Sequence, residues 1–400
     1  MVEKKLFDLD KLIEFRRHVH QYPELAFEEF NTSAKIVEYL KSIGIVDSQI
    51  RRIAKTGLTV DIKGKAEPSG SPYMIAFRAD MDCLPIKELA DIDYRSKKED
   101  RSHMCGHDGH CAWLLGAASK ILENLDKIPS DKTVRLLFQP AEEALGGAFP
   151  MIQEGCLQDV NEVYGAHCEP WGKTGEIYIK DGPIQAQITE INITIFGKGG
   201  HICAPETFID PLPAAIEIYH ANQKLIESYG DAYKNRQIVA KLPYLHCGEV
   251  ANAIHDRAVM KGDMRSFSEE LTLDFKSKFQ TICEKICQQH DVKLQLELET
   301  SFPAVINSKK ETEVVIKIGK EVYGEDKVSD TRLPNLGAED FSFYTRYLPG
   351  AYFFLTTGLK ETENPDYHSP HFVFDDSAIE KASELFYKIA LHQFGVIKSQ

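Results

Sequence analysis

The spacing of hydrophobic residues changes along the chain from a helical period to short apolar runs. Positions 8–43 have the 3.6-residue period of a long amphipathic helix, which Tyr22-Pro23 interrupts, and Asn31-Thr32-Ser33 can cap its second half. Further on, strands buried on both faces are predicted at Tyr73–Phe77, Val134–Phe138, Glu162–Ala166 and Tyr352–Leu355. Helices are predicted at Cys111–Leu125 and Glu311–Tyr323. This alternation predicts an α/β fold with a mixed, mostly parallel sheet flanked by helices.

Positions 187–300 have a different pattern, in which apolar and polar residues alternate. Isoleucines at 191, 193 and 195 and leucines at 294, 296 and 298 each predict a strand with one buried face. Between them the pattern predicts a helix at 210–228, strands at 236–246 and 258–267, and a helix at 269–289. The order β-α-β-β-α-β is typical of a ferredoxin-like α+β domain. We therefore predict that 187–300 form an inserted domain, and that 1–186 and 301–400 form one discontinuous larger domain.

Composition excludes several classes of protein. The formal net charge is −14 and no Lys/Arg-rich stretch is present, so a nucleic-acid partner is not expected. No window approaches 18 consecutive apolar residues and the N-terminus has no apolar signal core, so we expect a cytoplasmic protein without a membrane partner. The nine cysteines are scattered and odd in number, which favours reduced thiols over a disulfide framework.

Acidic and histidine side chains follow the predicted strands of the larger domain. In chain order they are Asp80 and Asp82, Glu142 and Glu143, His167, and, at some distance from the last strand, His368. In open α/β sheets, sites form outside the carboxyl ends of the strands, so we expect these side chains to converge. The segment Cys105-Gly-His-Asp-Gly-His110 adds further potential ligands beside them. A structural zinc site would instead close with four ligands, often in CxxC or HxxxH pairs, which this segment lacks.

Five or more ligands are too many for one tetrahedral zinc ion. They indicate two metal ions, roughly 3.5–4 Å apart, that share a bridging group and a water. A thiolate from Cys105 favours zinc, and the carboxylates leave manganese or cobalt possible. The adjacent Glu142 and Glu143 can divide two tasks, since one can bind metal while the other moves a proton between water and a leaving nitrogen.

Six motifs, in order, resemble those of the aminoacylase-like dinuclear metallopeptidases. They are His20-xx-Pro-Glu24, Arg78-Ala-Asp-Met-Asp82, Cys105-Gly-His-Asp-Gly-His110, Gln139-Pro-Ala-Glu-Glu143, Gly197-Lys-Gly-Gly-His201 and Gly337-Ala-Glu-Asp-Phe341. The branch that looks most similar holds hippurate hydrolases, N-acyl-amino-acid amidohydrolases and auxin-conjugate hydrolases. The resemblance spans nearly the whole chain, from about Phe15 to Phe386.

The resemblance implies roles for the strand-end residues in a zinc-peptidase-like catalytic domain. Cys105 would bridge two metal ions, and the remaining ligands would be His107, Glu143, His167 and His368. Glu142 would be the general base. Asp80 and Asp82 would orient a ligand or the base. Asp108 is expected to cap the following helix, and His110 to lie near the site without ligating.

The resemblance also implies roles in the inserted domain, which would be a lid that mediates a homodimer. His201 would stabilise the tetrahedral oxyanion, often across the dimer, and Asn252 would help to hold the substrate carboxylate. Arg265 is a second candidate for binding an anion. Two departures fall in this domain: Glu206 stands where the family often has histidine, and His255 where proline is usual.

These inferences predict a metal-dependent amidohydrolase. It would cleave the amide of a small N-acyl amino acid through a water that bridges the metals, with Glu142 as the base. A metallo-dipeptidase or carboxypeptidase would use the same centre. A non-catalytic scaffold derived from the family is a further alternative, but such a protein would be expected to have lost ligands or base, and all are present.

Overall fold

The computed structural model describes residues 5–144 and 146–397. The chain divides into two compact units. The first comprises the chain up to Ile184, Ile306–Leu333 and the chain from Asp340 onward. The second comprises Gln185–Val305 together with Pro334–Glu339.

Helices and strands alternate through most of the described chain. The helices are α1 (Leu9–Gln21), α2 (Phe30–Ser42), α3 (His107–Glu123), α4 (Ala148–Gln153), α5 (Leu212–Ser228), α6 (Asp231–Lys234), α7 (Glu269–Gln289), α8 (Lys309–Tyr323), α9 (Ser342–Tyr347) and α10 (Ala378–Gln393). The strands are β1 (Ile50–Ile53), β2 (Gly57–Lys63), β3 (Tyr73–Asp80), β4 (Lys132–Gln139), β5 (Glu162–Lys173), β6 (Ile177–Tyr178), β7 (Gly182–Gln185), β8 (Gln187–Phe196), β9 (Gly200–His201), β10 (Ile238–His246), β11 (Ala253–Ile254), β12 (Arg257–Ser266), β13 (Lys293–Phe302), β14 (Val305–Asn307), β15 (Val328–Ser329) and β16 (Gly350–Gly358). None of the helices in the described residues is long and apolar enough to span a bilayer.

The first unit is built on a sheet of order β1-β2-β4-β3-β5-β16-β6-β15. Its centre is parallel, since β3 pairs in parallel with β4 and β5, and β16 with β5. The pairs β1-β2, β2-β4 and β16-β6 are antiparallel. Helices α1, α3, α8 and α10 contribute to the large apolar core of this unit. The predicted mixed, mostly parallel sheet flanked by helices is thus confirmed.

The cap predicted for the second N-terminal helix is wrong. Asn31 and Thr32 lie inside α2, which begins at Phe30. The N-cap residue of α2 is Glu29, and its side chain makes no capping hydrogen bond. The carboxylate of Glu24 instead accepts hydrogen bonds from the backbone N–H groups of Asn31 and Thr32, at 3.1 and 2.8 Å. Glu24 therefore satisfies the open N–H groups of the first turn from outside the helix.

The second unit contains an antiparallel sheet of order β10-β12-β8-β13. Its chain order β8-α5-β10-β12-α7-β13 is the predicted β-α-β-β-α-β order. The isoleucines of β8 are buried with Phe275 and Phe279 of α7 in a separate core, which explains the alternating pattern of the strands. Helix α7 begins after Ser268, whose side chain accepts from the Leu271 N–H.

Candidate metal centre

Five side chains of the first unit meet beside the carboxyl ends of its central strands. We call Cys105, His107, Glu143, His167 and His368 the ligand cluster. Cys105 Sγ lies 3.4 Å from His167 Nε2, and the two Glu143 oxygens lie 3.8 Å from His107 Nε2 and 3.3 Å from His368 Nε2. The donor atoms form two groups, and within each group all the atoms lie within 4.8 Å of one another. One group is Cys105, His107 and His167, and the other is Cys105, Glu143 and His368. Cys105 belongs to both groups, so it is placed to be shared by two ions.

Several donor atoms of the ligand cluster are buried without a hydrogen bond. They are both ring nitrogens of His107 and one carboxylate oxygen of Glu143. Buried polar atoms normally have a partner, because an unsatisfied one costs roughly 1–3 kcal/mol. The residues present therefore fit divalent cations, which His107 Nε2 and the Glu143 oxygen would coordinate, whereas His107 Nδ1 faces Asp82 at 3.3 Å.

The charges of the centre lead to the same conclusion. Burial lowers the pKa of His107, but the carboxylates of Asp80, Asp82 and Glu143 outweigh burial and raise this pKa to about 10. Burial, followed by the charge of Glu143, raises the pKa of the Cys105 thiol well above its usual range. The carboxylates around His107 thus favour a positive charge at this position, which a metal ion can supply in place of the proton. A bound metal ion would also remove the proton from the thiol.

His167 is fixed in one tautomer. Its Nδ1 lies 2.6 Å from the Cys168 carbonyl oxygen, which can only accept, so Nδ1 carries the proton. Burial lowers the pKa of His167 well below its usual value and keeps the ring neutral. The free lone pair of Nε2 is consequently on the side of Cys105, as a metal ligand requires.

His110 uses both ring nitrogens within the protein. Its Nε2 accepts a hydrogen bond of 2.9 Å from the Cys168 N–H, so its Nδ1 carries the proton and donates to Asp80 at 2.6 Å. Asp80 also accepts from Arg78 at 2.6 Å, and all three side chains are buried. The Asp80 carboxylate and the His110 ring thus connect the end of β3 to the strand that carries His167.

Asp82 anchors the loop that follows β4. Its two carboxylate oxygens accept from the backbone N–H groups of Glu142 and Glu143, both at 3.0 Å, and one of them lies 3.3 Å from His107 Nδ1. The preceding residue, Ala141, is buried at φ 56, and its N–H donates to Glu29 at 2.9 Å. A non-glycine residue at positive φ is strained, so these contacts impose the conformation that directs the two glutamates.

Sequence reasoning missed Glu29. The Glu28-Glu29 pair was included in the long N-terminal helix, and no local pattern links it to a loop 112 residues further on. An acidic pair in a surface helix is normally exposed, but Glu29 is buried because the tertiary fold brings it to Ala141.

Asp108 does not cap the helix that it was expected to cap. Helix α3 begins at His107, after Gly106 at φ 80, without a side-chain cap. The Asp108 carboxylate instead accepts from Arg16 at 2.9 Å and lies 2.9 Å from His20 Nδ1, and all three side chains are buried. The buried guanidinium is a stronger partner for this carboxylate than the helix N–H groups.

His201, Asn252 and Arg265 belong to the second unit, whereas the ligand cluster belongs to the first. His201 is exposed on β9, paired with Ala253 of β11, and its Nδ1 accepts from the Cys203 N–H at 3.2 Å. The carbonyl of Asn252 accepts from the Ile202 N–H. Arg265 donates to the Leu336 carbonyl at 2.8 Å and to Asp263 at 3.3 and 3.4 Å. The guanidinium of Arg265 is therefore already engaged inside its own unit.

Fold and site together define a class of hydrolase in which an α/β sheet presents a Cys/His/Glu cluster at its strand ends. The profile of peptidase family M20/M25/M40 matches residues 76–392, and the chain belongs to this family. The predicted membership of the aminoacylase-like metallopeptidases is confirmed, and so is the prediction of a hydrolase that acts on amide bonds.

Relatives and a solved structure agree with this assignment over nearly the whole chain. The N-acetyl-L-cysteine deacetylase of Bacillus subtilis is 36% identical over 95% of this chain and 87% of its own length. Thermostable carboxypeptidase 1 of Saccharolobus solfataricus is 35% identical over 95% of each chain. The crystal structure of the Bacillus subtilis YXEP protein, a dinuclear metal-binding peptidase of family M20, superposes with a TM-score of 0.82 at 28% identity, covering 97% of this chain and 99% of that one.

Proposed function

We propose that this chain hydrolyses the amide bond of N-acyl amino acids and releases a carboxylic acid and a free amino acid. The observation that carries the proposal is the position of Glu142, a buried carboxylate held by its backbone next to the ligand cluster. The similarity to an N-acetyl-L-cysteine deacetylase supports this class of substrate.

We propose that the ligand cluster binds two divalent metal ions. His107 and His167 would hold one ion, Glu143 and His368 the other, and Cys105 would be shared by both. When bound, the ions would polarise the amide carbonyl and lower the pKa of the attacking water. The thiolate favours zinc, with manganese or cobalt as alternatives. The dinuclear metal-binding peptidase of the same family supports the number of ions.

Glu142 would accept a proton from the attacking water and deliver it to the leaving nitrogen. The water oxygen forms the new bond to the carbonyl carbon, the C–N bond breaks, and the amine leaves with the transferred proton. Asp82 would keep the carboxylate of Glu142 in place through the backbone of the loop. Burial of Glu142 limits contact with bulk water, so that its proton is transferred to the substrate.

The second unit would supply contacts to the substrate. His201 would donate to the tetrahedral oxyanion and Asn252 would hold the substrate carboxylate, with the second unit forming a homodimer. Arg265 is a weaker candidate for binding the carboxylate, because its guanidinium already donates to Leu336 and Asp263. These roles rest on the family resemblance.

A carboxypeptidase is the second candidate, and the similarity to a thermostable carboxypeptidase favours it. Both reactions leave a free amino acid, but a carboxypeptidase also accepts a peptide as the acyl part. The two candidates can therefore be separated by the group on the carbonyl side of the scissile bond.

The substrate class can be tested with a panel of N-acetyl and N-benzoyl amino acids, N-benzoyl dipeptides and free dipeptides. Each should be assayed with zinc, manganese and cobalt added to metal-free protein. We expect kcat/KM for simple N-acyl amino acids to exceed that for both the N-benzoyl dipeptides and the free dipeptides by at least about tenfold, or about 1.4 kcal/mol. A preference for N-benzoyl dipeptides would establish the carboxypeptidase instead, and inactivity towards the whole panel would contradict both.

The shared position of Cys105 predicts an unusual metal-binding defect. Cys105→Ser replaces the thiolate in both donor groups, so the purified variant should bind fewer than two ions and have weakened affinity for each. Cys203→Ser changes an exposed cysteine of the second unit and serves as the control. Elemental analysis after gel filtration should give two ions per chain for the wild type and the control. Wild-type protein that retains no metal after reconstitution would favour the scaffold alternative.

A further inference from the structure

His368 is the member of the ligand cluster that regular structure supports least. It lies on an irregular loop, its side chain is 53% exposed, and its backbone is at φ 58. By contrast, His107 begins a helix, His167 lies in a strand, and Glu143 is tied through its N–H to Asp82. A ligand at a strained position needs contacts from its surroundings to hold it.

Besides the His368–Glu143 pair, two hydrogen bonds connect residues 366–369 to the rest of the first unit. The N–H of His368 donates to the Met104 carbonyl at 2.9 Å, next to Cys105. The Tyr367 hydroxyl donates to the carboxylate of Glu169. The other hydrogen bonds that the structure gives for residues 366–369 run within the loop or to the residues that follow it.

Glu169 is placed to brace the loop against the strand that carries His167. It is fully buried in β5, two residues after His167, so both side chains project from the same face of the sheet. The Tyr367 ring packs edge-on against the His167 ring, with centroids 5.2 Å apart and planes at 86°. Tyr367 thus contacts the ligand His167 directly and precedes the ligand His368 in the chain.

Burial of the Glu169 carboxyl is unfavourable for the fold by itself. One of its oxygens is buried without a hydrogen bond, whereas an apolar side chain would fill the same space without that cost. Glu169 is therefore costly to bury, and it bonds to Tyr367, the residue before the proposed ligand His368. This combination indicates that Glu169 has a role in the site.

We propose that Tyr367 and Glu169 are a positioning pair that orients His368 and so sets the affinity for the metal ion that His368 and Glu143 bind. The inference rests on the proposed ligand cluster. Residues that hold a metal ligand typically contribute 10- to 100-fold to metal affinity, roughly the range expected here.

Stepwise zinc titration of metal-free protein, in competition with a chromophoric chelator, tests the pair. In Tyr367→Phe, which keeps the ring but removes the hydroxyl, we expect one site to keep its affinity and the other to weaken by about 10- to 100-fold. Glu169→Gln keeps an oxygen that can accept from Tyr367, so both affinities should remain close to wild type. Tyr178→Phe removes a similar hydroxyl, which donates to Glu176 at 2.9 Å in the same unit, and should leave both sites unchanged.

His368→Ala separates failure of this inference from failure of the ligand cluster. If that variant binds two zinc ions as tightly as wild type, His368 is not a ligand and the proposed cluster is wrong. If His368→Ala loses one ion but Tyr367→Phe binds both normally, the positioning pair is wrong and the cluster stands. Equal weakening of both sites in Tyr367→Phe, together with a lower melting temperature of the metal-free protein, would show a general loss of stability and overturn the pair.

Discussion

Replacing Glu142 by glutamine should lower kcat by about 10²- to 10⁴-fold, the usual contribution of a general acid–base group. Glutamine has the shape of glutamate but cannot accept the proton of the attacking water. The Glu142 N–H that donates to Asp82 belongs to the backbone, so the loop should keep its position. Steady-state kinetics on the best N-acyl amino acid, together with elemental analysis, should show lost turnover with both metal ions retained.

The adjacent glutamate provides the contrast for this prediction. Glu143 belongs to a donor group with Cys105 and His368, so Glu143→Gln should lose metal as well as turnover. Full activity in Glu142→Gln would exclude this residue as the base. Loss of metal in both variants would mean that the two glutamates share the ligand role, and that the proton is carried by another group.

The convergence of the ligand cluster could be predicted because it follows from topology. Parallel strands have their carboxyl ends at one edge of the sheet, so residues at the ends of β3 and β4 must come close to His167, inside the neighbouring β5, whatever the loops do. Asp80, which ends β3, and Asp82, which follows it, come next to the ligand cluster for this reason. His167 was expected just after its strand, but β5 continues to Lys173. The period of the hydrophobic pattern was sufficient to place these strands, and their alternation with helices along the chain predicted that they are parallel.

The second unit was predictable for a related reason. Its strands alternate apolar and polar residues, so the period of two shows directly which face is buried. Strands β1 and β2 were not predicted: β1 has only 4 residues, and the alternation of Leu58, Val60 and Ile62 with polar residues in β2 was a signal that sequence reasoning missed. They pair antiparallel with each other at the edge of the large sheet, where β2 also pairs antiparallel with β4, one of the parallel strands.

The partners of single polar side chains could not be predicted from local sequence. Asp108 has the sequence position of a helix cap, but its partner Arg16 is 92 residues earlier in the chain. Glu169 and Tyr367 are 198 residues apart, and neither lies in a motif. The left-handed backbone of Ala141 and His368 is equally invisible, since neither residue is glycine or asparagine. Such features depend on tertiary packing and carry no periodic signal.

The buried pair of Arg16 and Asp108 should make a large contribution to stability. Asp108→Asn keeps the shape of the side chain but removes its charge, which leaves a fully buried guanidinium with less compensation. Burial alone would raise the pKa of Asp108, but Arg16 and then His20 hold it well below its usual range, so the wild-type residue is charged. Breaking a buried pair in this way costs about 3–5 kcal/mol. The carboxylate of Asp376 lies 2.5 Å from Arg16 and would still compensate part of its charge, so we expect a loss near the lower end of that range.

Urea unfolding of the metal-free protein at pH 7 measures this loss without a contribution from metal binding. Both tryptophans, Trp113 and Trp171, lie in the first unit, so their fluorescence follows the unit that contains the pair. Glu38→Gln breaks an exposed pair with Lys35, and this control should change the free energy of unfolding far less than Asp108→Asn does. If Asp108→Asn were no more destabilising than the control, the Arg16 charge would be compensated by Asp376 alone.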